Sequence, residues 1–153
     1  MRAVVILFGP PAAGKSTIAR SLGLEVYDRD DPPWHDLGEA PFRKALQSLR
    51  SRSDVRAVAI RQGATRSARA RSIAETAATA AFLVATPLEV CLRRASERGR
   101  DPRREPAAIR AWWQRFDRGG DVPLWLGDWR PPIEDLPDGT PDVTMLGSTS
   151  RVW

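Results

Sequence analysis

Gly9-Pro10-Pro11-Ala12-Ala13-Gly14-Lys15-Ser16-Thr17 decides the reading of this chain. The stretch matches G-x-x-x-x-G-K-[ST], the phosphate-binding loop, at every fixed position. Just before it runs Ala3-Val4-Val5-Ile6-Leu7-Phe8, an unbroken apolar run rich in β-branched residues. Such a run predicts a strand buried on both faces. After it, Ser16 to Leu22 carries no breaker until Gly23, which predicts a short helix stopped by glycine. Strand, loop and helix supply the context that the motif needs.

The residue types explain themselves. Gly9 and Gly14 let the backbone turn where a side chain would obstruct, and bring N–H groups near phosphate oxygens. The helix that follows points its positive end at the same anion. Lys15 would reach the β- and γ-phosphates, and the Ser16 hydroxyl would hold Mg²⁺. Thr17 is expected to pack or to bond back within the helix. The candidate nucleotide contacts are Gly9, Pro10, Ala12, Ala13, Gly14, Lys15, Ser16 and Thr17. Lysine is scarce: of 24 Lys and Arg residues, only Lys15 and Lys44 are lysines.

At 153 residues the chain is one domain with room for a core. Apolar residues at 42% and charged at 28% are ordinary for a globular protein. No apolar run reaches the length of a membrane span. The first apolar run is too short for a signal-peptide core, so a cytoplasmic location is expected. Cys91 stands alone, which rules out an internal disulfide and leaves a core role. The net charge of +5 suggests an anionic partner, met by nucleotide phosphates or by a nucleic acid.

Along the chain, Leu24–Tyr27 predicts a second strand ending in Asp28-Arg29-Asp30-Asp31-Pro32. Asp31 before a proline reads as a helix N-cap. Asp28 and Asp30 leave the C-terminal end of a strand, the sheet edge where ligands sit. Phe42, Ala45, Leu46 and Leu49 predict an amphipathic helix over 39–52. Val55–Ile60 is a third strand, and Arg61 and Arg66 beyond it are acceptor or phosphate clamps if they are not simply exposed. The alanine-rich stretch 67–80 reads as helix and Ala81–Ala85 as a fourth strand. Thr86-Pro87-Leu88-Glu89 carries the cap, proline and acid of a helix start. A charged loop, Arg98–Pro106, leads to a helix over 106–117 bearing Trp112 and Trp113. One of these tryptophans should be core, and the other near an adenine or an acceptor. From Asp121 the chain is rich in Pro and Trp and reads as an irregular tail docked by tryptophans. Asp142–Leu146 is a candidate further strand. His35, the lone histidine, reads as a surface or capping residue.

The phosphate loop, Tyr27-Asp28-Arg29-Asp30-Asp31 and Leu92-Arg93-Arg94-Ala95-Ser96-Glu97-Arg98-Gly99 together resemble the small P-loop kinases. They are most similar to the 5′-hydroxyl kinase domain of phage-type polynucleotide kinases. That family has an Arg-Asp-Asp run after its second strand and an Arg-x-x-x-Arg-Gly run in its lid helix. The resemblance covers residues 1–117. It implies an α/β fold, a three-layer P-loop NTPase with a parallel sheet of four or five strands, helices on both faces and a helical lid over 94–106. Residues 118–153 would be the tail, docked on the same domain. ATP and Mg²⁺ are the implied cofactors. Arg98 would reach the phosphates, Arg94 would assist or stack near the base, and Asp30 would take the proton from the acceptor hydroxyl. Asp28, Arg61 and Arg66 would line the acceptor.

Two departures stand out. The third strand of these kinases often ends in an acid near Mg²⁺, but here it ends Ile60-Arg61-Gln62-Gly63. Asp28 or Asp30 would then hold metal-bound water. Asp135-Leu136-Pro137-Asp138-Gly139-Thr140 faintly resembles a phosphatase loop but reads better as a turn. The expected activity is transfer of the ATP γ-phosphate to a hydroxyl, the favoured acceptor being a polynucleotide or nucleotide 5′-OH. The alternatives are a small-metabolite kinase, for a nucleoside or sugar acid, and an ATP-binding switch or slow ATPase acting through a protein partner. A GTPase is disfavoured, since no Asn-Lys-x-Asp run is present.

Overall fold

The computed structural model describes residues 1–133. Its strands are β1 (Ala3–Phe8), β2 (Glu25–Tyr27), β3 (Arg56–Arg61) and β4 (Ala80–Leu83). Its helices are α1 (Lys15–Ser21), α2 (Trp34–Leu37), α3 (Glu39–Ser48), α4 (Arg66–Thr76), α5 (Leu88–Arg98) and α6 (Arg104–Arg115). The strands form one parallel sheet in the order β2-β3-β1-β4. All six residues of β1 are fully buried, as an inner strand of a parallel sheet must be.

Alternation along β1 assigns the two layers of helices. Val4, Ile6 and Phe8 pack with Phe42 and Leu46 of α3 and with Ile73 of α4. Val5 and Leu7 pack with Ile18 of α1, Cys91 of α5 and Ile109 of α6. The result is a three-layer α/β fold. Each of these large side chains contributes about 1.5–3 kcal/mol by leaving water. No helix among the described residues is long and apolar enough to cross a membrane.

The end of α4 and the path of the tail differ from the sequence reading, and β4 and α6 each begin and end one or two residues earlier than expected. α4 stops at Thr76 rather than running on through the alanines to residue 80. Ala77 takes a left-handed conformation (φ 49°), and Thr79 binds Val4 through both its N–H (2.7 Å) and its hydroxyl (3.0 Å). The chain must reverse there to enter β4, which overrides the helix preference of alanine. The tail also adds to the sheet. Leu124 forms an isolated parallel bridge to Leu83, with Trp125 N–H donating to Leu83 O at 2.8 Å. Val122 is buried, and Trp125 and Trp129 pack on Phe82 with ring centroids 5.3 and 5.4 Å away. The stretches Asp135–Thr140 and Asp142–Leu146 lie outside the described residues.

Candidate active site

The phosphate loop leaves β1 at the C-terminal edge of the sheet and turns into α1. Gly9 has no space for a side chain, because a Cβ there would lie 2.5 Å from Val84 O. Gly14, at the helix N-cap, has φ +96°. No side chain caps α1, so its first N–H groups are left to a ligand. The loop is braced from behind. Thr86 donates its hydroxyl to Ala13 O at 2.7 Å, and Arg94 Nη1 donates to the same carbonyl at 3.1 Å. Thr86 therefore ties β4 to the loop instead of capping α5.

Lys15 is buried and lies along the loop, donating to Gly9 O and lying 3.5 Å from Arg61 O. Burial lowers its pKa from 10.5 to about 8, against the attraction of Asp28 and Asp30. Ser16 donates its hydroxyl to Asp28 Oδ2 at 2.7 Å. Asp28 is itself buried, and its Oδ1 accepts the Asp30 N–H at 3.0 Å, an Asx turn that aims the Asp30 backbone back toward the loop. The Asp30 side chain is exposed and lines the same cavity.

That cavity measures about 720 Å³. Pro11 to Thr17, Asp28 and Asp30 line one part of it. Arg98 and Arg100 also line it, and Arg98 donates to Glu105 at 2.6 Å across the α5–α6 turn. At the far side Arg61 donates to Glu39 at 2.7 Å and lies over Phe42, 5.5 Å from the ring centroid. Arg43 of α3 clasps Glu75 of α4 through two nitrogens. This contact holds the Glu75 carboxyl below its ordinary range. Arg71 completes that wall.

The sequence-derived candidates fall into three groups. Lys15, Ser16, Thr17, Asp28, Asp30, Arg61 and Arg98 all line the cavity with the loop. Thr17 is exposed there and does not pack inside the helix. Arg94 reaches the back of the loop at Ala13 and is not part of the cavity lining. Arg66 is turned away: its N–H meets Asp117 at 3.0 Å and its guanidinium meets Gly119 O. The Gly119 carbonyl and the Asp121 carboxylate, 4.0 Å from Nε, hold the guanidinium out of the cavity. Trp112 is fully buried core, and Trp113 lines a separate apolar cavity between α5 and α6. His35 is exposed beside Asp36.

Sequence reasoning missed Arg43, Glu75 and Arg71. Arg43 lies in the amphipathic helix over 39–52 and Arg71 and Glu75 in the alanine-rich stretch, and only the packing of α3 on α4 gathers them. Among the described residues no group of three His, Cys, Asp or Glu side chains forms a metal cage. Ser16 and Asp28 instead offer two oxygen ligands, a donor set that suits Mg²⁺ sharing its shell with phosphate oxygens.

A phosphate loop on an inner strand of a parallel sheet, with helices on both faces, defines a P-loop α/β fold. A gluconokinase from Sinorhizobium meliloti 1021 shares it, with TM-score 0.58, 15% identity and 80% of each chain covered. A sugar kinase from Janibacter sp. HTCC2649 shares it too, with TM-score 0.56, 19% identity, and 81% of this chain and 84% of that one covered. Neither is a polynucleotide kinase, so the finer resemblance to the phage-type enzymes gains no support from them. No protein-family model matches the chain, and no curated protein matches its sequence.

Proposed function

We propose that this protein transfers the γ-phosphoryl group of ATP to a hydroxyl of a small polyhydroxy metabolite, a sugar or a sugar acid. The observation that carries the reading is one cavity joining Lys15, Ser16 and Asp28 to Asp30 and to a far wall of Arg–Glu pairs. Its volume of about 720 Å³ lies within the usual span of small-molecule sites. No aromatic side chain of the described residues lines it. Single-stranded nucleic acids are held by aromatic stacking, so this lining favours a small acceptor over a polynucleotide. Paired guanidinium and carboxylate groups present both donors and acceptors, which suits several hydroxyls at once. The sugar substrates named for the two similar structures point the same way.

The chemistry follows from the residues. Lys15 and Arg98 would neutralise charge on the transferred group. Ser16 and Asp28 would hold Mg²⁺, which supplies further charge neutralisation when bound. Asp30 would accept the proton of the attacking hydroxyl. The bond between the γ-phosphorus and the ADP oxygen breaks as the acceptor oxygen bonds to phosphorus.

The test is ATP turnover with Mg²⁺ against sugar acids, sugars, nucleosides and 5′-OH oligonucleotides. Stimulation by a sugar or sugar acid is expected. Phosphate transfer to oligonucleotides alone would overturn the choice of acceptor. Tight ATP binding without stimulation by any compound would overturn the kinase reading itself.

A further inference from the structure

The carbonyls of residues 61 to 64, at the end of β3, are each met by a donor from elsewhere in the chain. Lys15 Nζ lies 3.5 Å from Arg61 O. Gln62 O accepts from Gly9 N–H at 3.2 Å and from Trp112 Nε1 at 2.7 Å. Gly63 O accepts from Arg69 Nη1 at 2.9 Å. Ala64 O accepts from the same nitrogen at 3.1 Å and from Asp117 N–H at 2.9 Å. The phosphate loop thus grips one side of this short segment. α6 and the residues after it grip the other.

Arg69 is the hub. It is fully buried and lies outside the nucleotide-facing cavity. A guanidinium has five N–H donors, and here each has an acceptor. Nη1 serves Gly63 O and Ala64 O, Nη2 serves Asp117 O at 2.8 Å and Asp121 Oδ1 at 3.0 Å, and Nε serves Asp121 Oδ2 at 2.8 Å. Its guanidinium carbon lies 5.7 Å from the Phe116 ring centroid. Such a buried ion is costly unless every bond is made, so the partners must hold one geometry. Lysine, a point donor on a flexible stem, cannot reproduce that fork.

We propose that Arg69 is a positioning residue for the phosphate loop. Through the carbonyls of residues 61–64 it couples α6 and the 117–121 segment to Gly9 and Lys15, so nucleotide affinity depends on a side chain that lines no part of the nucleotide cavity. The proposal rests on the phosphotransferase reading only for its binding readout. Hydrogen exchange supplies a second readout that does not.

The experiment uses the full chain with Arg69→Lys, with Trp112→Phe, which deletes the donor to Gln62 O, and with Val55→Ala at the opposite end of β3. Affinity for a non-hydrolysable Mg·ATP analogue is measured by calorimetry, and amide exchange is followed at Gly9. Arg69→Lys and Trp112→Phe are expected to weaken binding about tenfold, a size seen for coupling through packed networks, and to speed exchange at Gly9. Val55→Ala is expected to lower the melting temperature while leaving both readouts unchanged. Unchanged binding and unchanged Gly9 exchange in the first two variants would make Arg69 a mere fold staple and overturn the proposal. If Arg69→Lys does not fold, Trp112→Phe decides on the same two readouts. If the unmodified protein binds no nucleotide, the phosphotransferase reading falls, and Gly9 exchange alone decides the coupling.

Discussion

The Ser16 hydroxyl and Asp28 Oδ2 lie 2.7 Å apart, joining the start of α1 to the end of β2. This pair supplies what β3 lacks. β3 leads into Gln62, a side chain without charge that lines the same cavity. The carboxylate next to the expected metal position therefore comes from β2.

Asp28 and Asp30 are two residues apart and are expected to fail differently. Asp28→Asn should weaken Mg²⁺ binding, raising the Mg²⁺ concentration needed for half-maximal turnover. Asp30→Asn should leave nucleotide affinity intact and lower kcat by about 10²- to 10⁴-fold, the usual contribution of a positioned base. Steady-state kinetics with Mg²⁺ titration checks both. Undiminished kcat in Asp30→Asn would show that Asp30 is not the base.

Lys15 sets a pH signature. Burial lowers its pKa from 10.5 to about 8. Affinity for a Mg·ATP analogue is expected to fall about twofold from pH 7 to 8 and then by up to about tenfold per pH unit as the ammonium is lost. Stability moves the other way. Between about 8 and 10.5 the unfolded chain binds more protons at this group than the folded one. Its contribution to stability therefore rises with pH across that window. Lys15→Met should abolish the slope along with most of the affinity, as read by calorimetry.

Arg98, which lines the same cavity as the phosphate loop, donates to Glu105 at 2.6 Å. To reach a phosphate it must give up this partner. Glu105→Gln is expected to tighten nucleotide binding a few-fold, because an exposed ion pair of this kind is worth about 1 kcal/mol or less. Arg98→Ala should lower kcat with a smaller effect on the melting temperature. Equal nucleotide affinity in Glu105→Gln and the unmodified protein would show that Arg98 does not engage the phosphates.

Trp129 anchors the tail on Phe82. Trp129→Ala is expected to cost about 2 kcal/mol in urea unfolding, less than a fully buried aromatic because Trp129 is half-buried. Nucleotide affinity should change little, since neither residue lines the phosphate cavity.

Much of this was legible in the sequence because its signals are local. The loop motif depends on spacing within nine residues, and the β1 run on burial at both faces. Asp28 and Asp30 stood out because a strand end in an α/β sheet is a ligand edge. Arg69 gave no such signal. It sits among Arg66, Arg71 and three alanines, a stretch with no apolar face, and its partner Asp121 is 52 residues away. The same distance problem hid the Arg43–Glu75 clasp. The end of α4 was misjudged because alanine favours helix locally, whereas the hydrogen bonds between Thr79 and Val4 are tertiary.

A chain with two lysines offers acylating reagents very few targets. Lys44 is exposed on α3, outside the nucleotide-facing cavity. With a pKa of about 8, Lys15 is about one-tenth free amine at pH 7, and free amine is the form that attacks carbonyl carbon. A nucleotide-shaped acyl phosphate should therefore label this protein once, at Lys15. The mass shift of the intact chain would then count occupied sites without any knowledge of the acceptor.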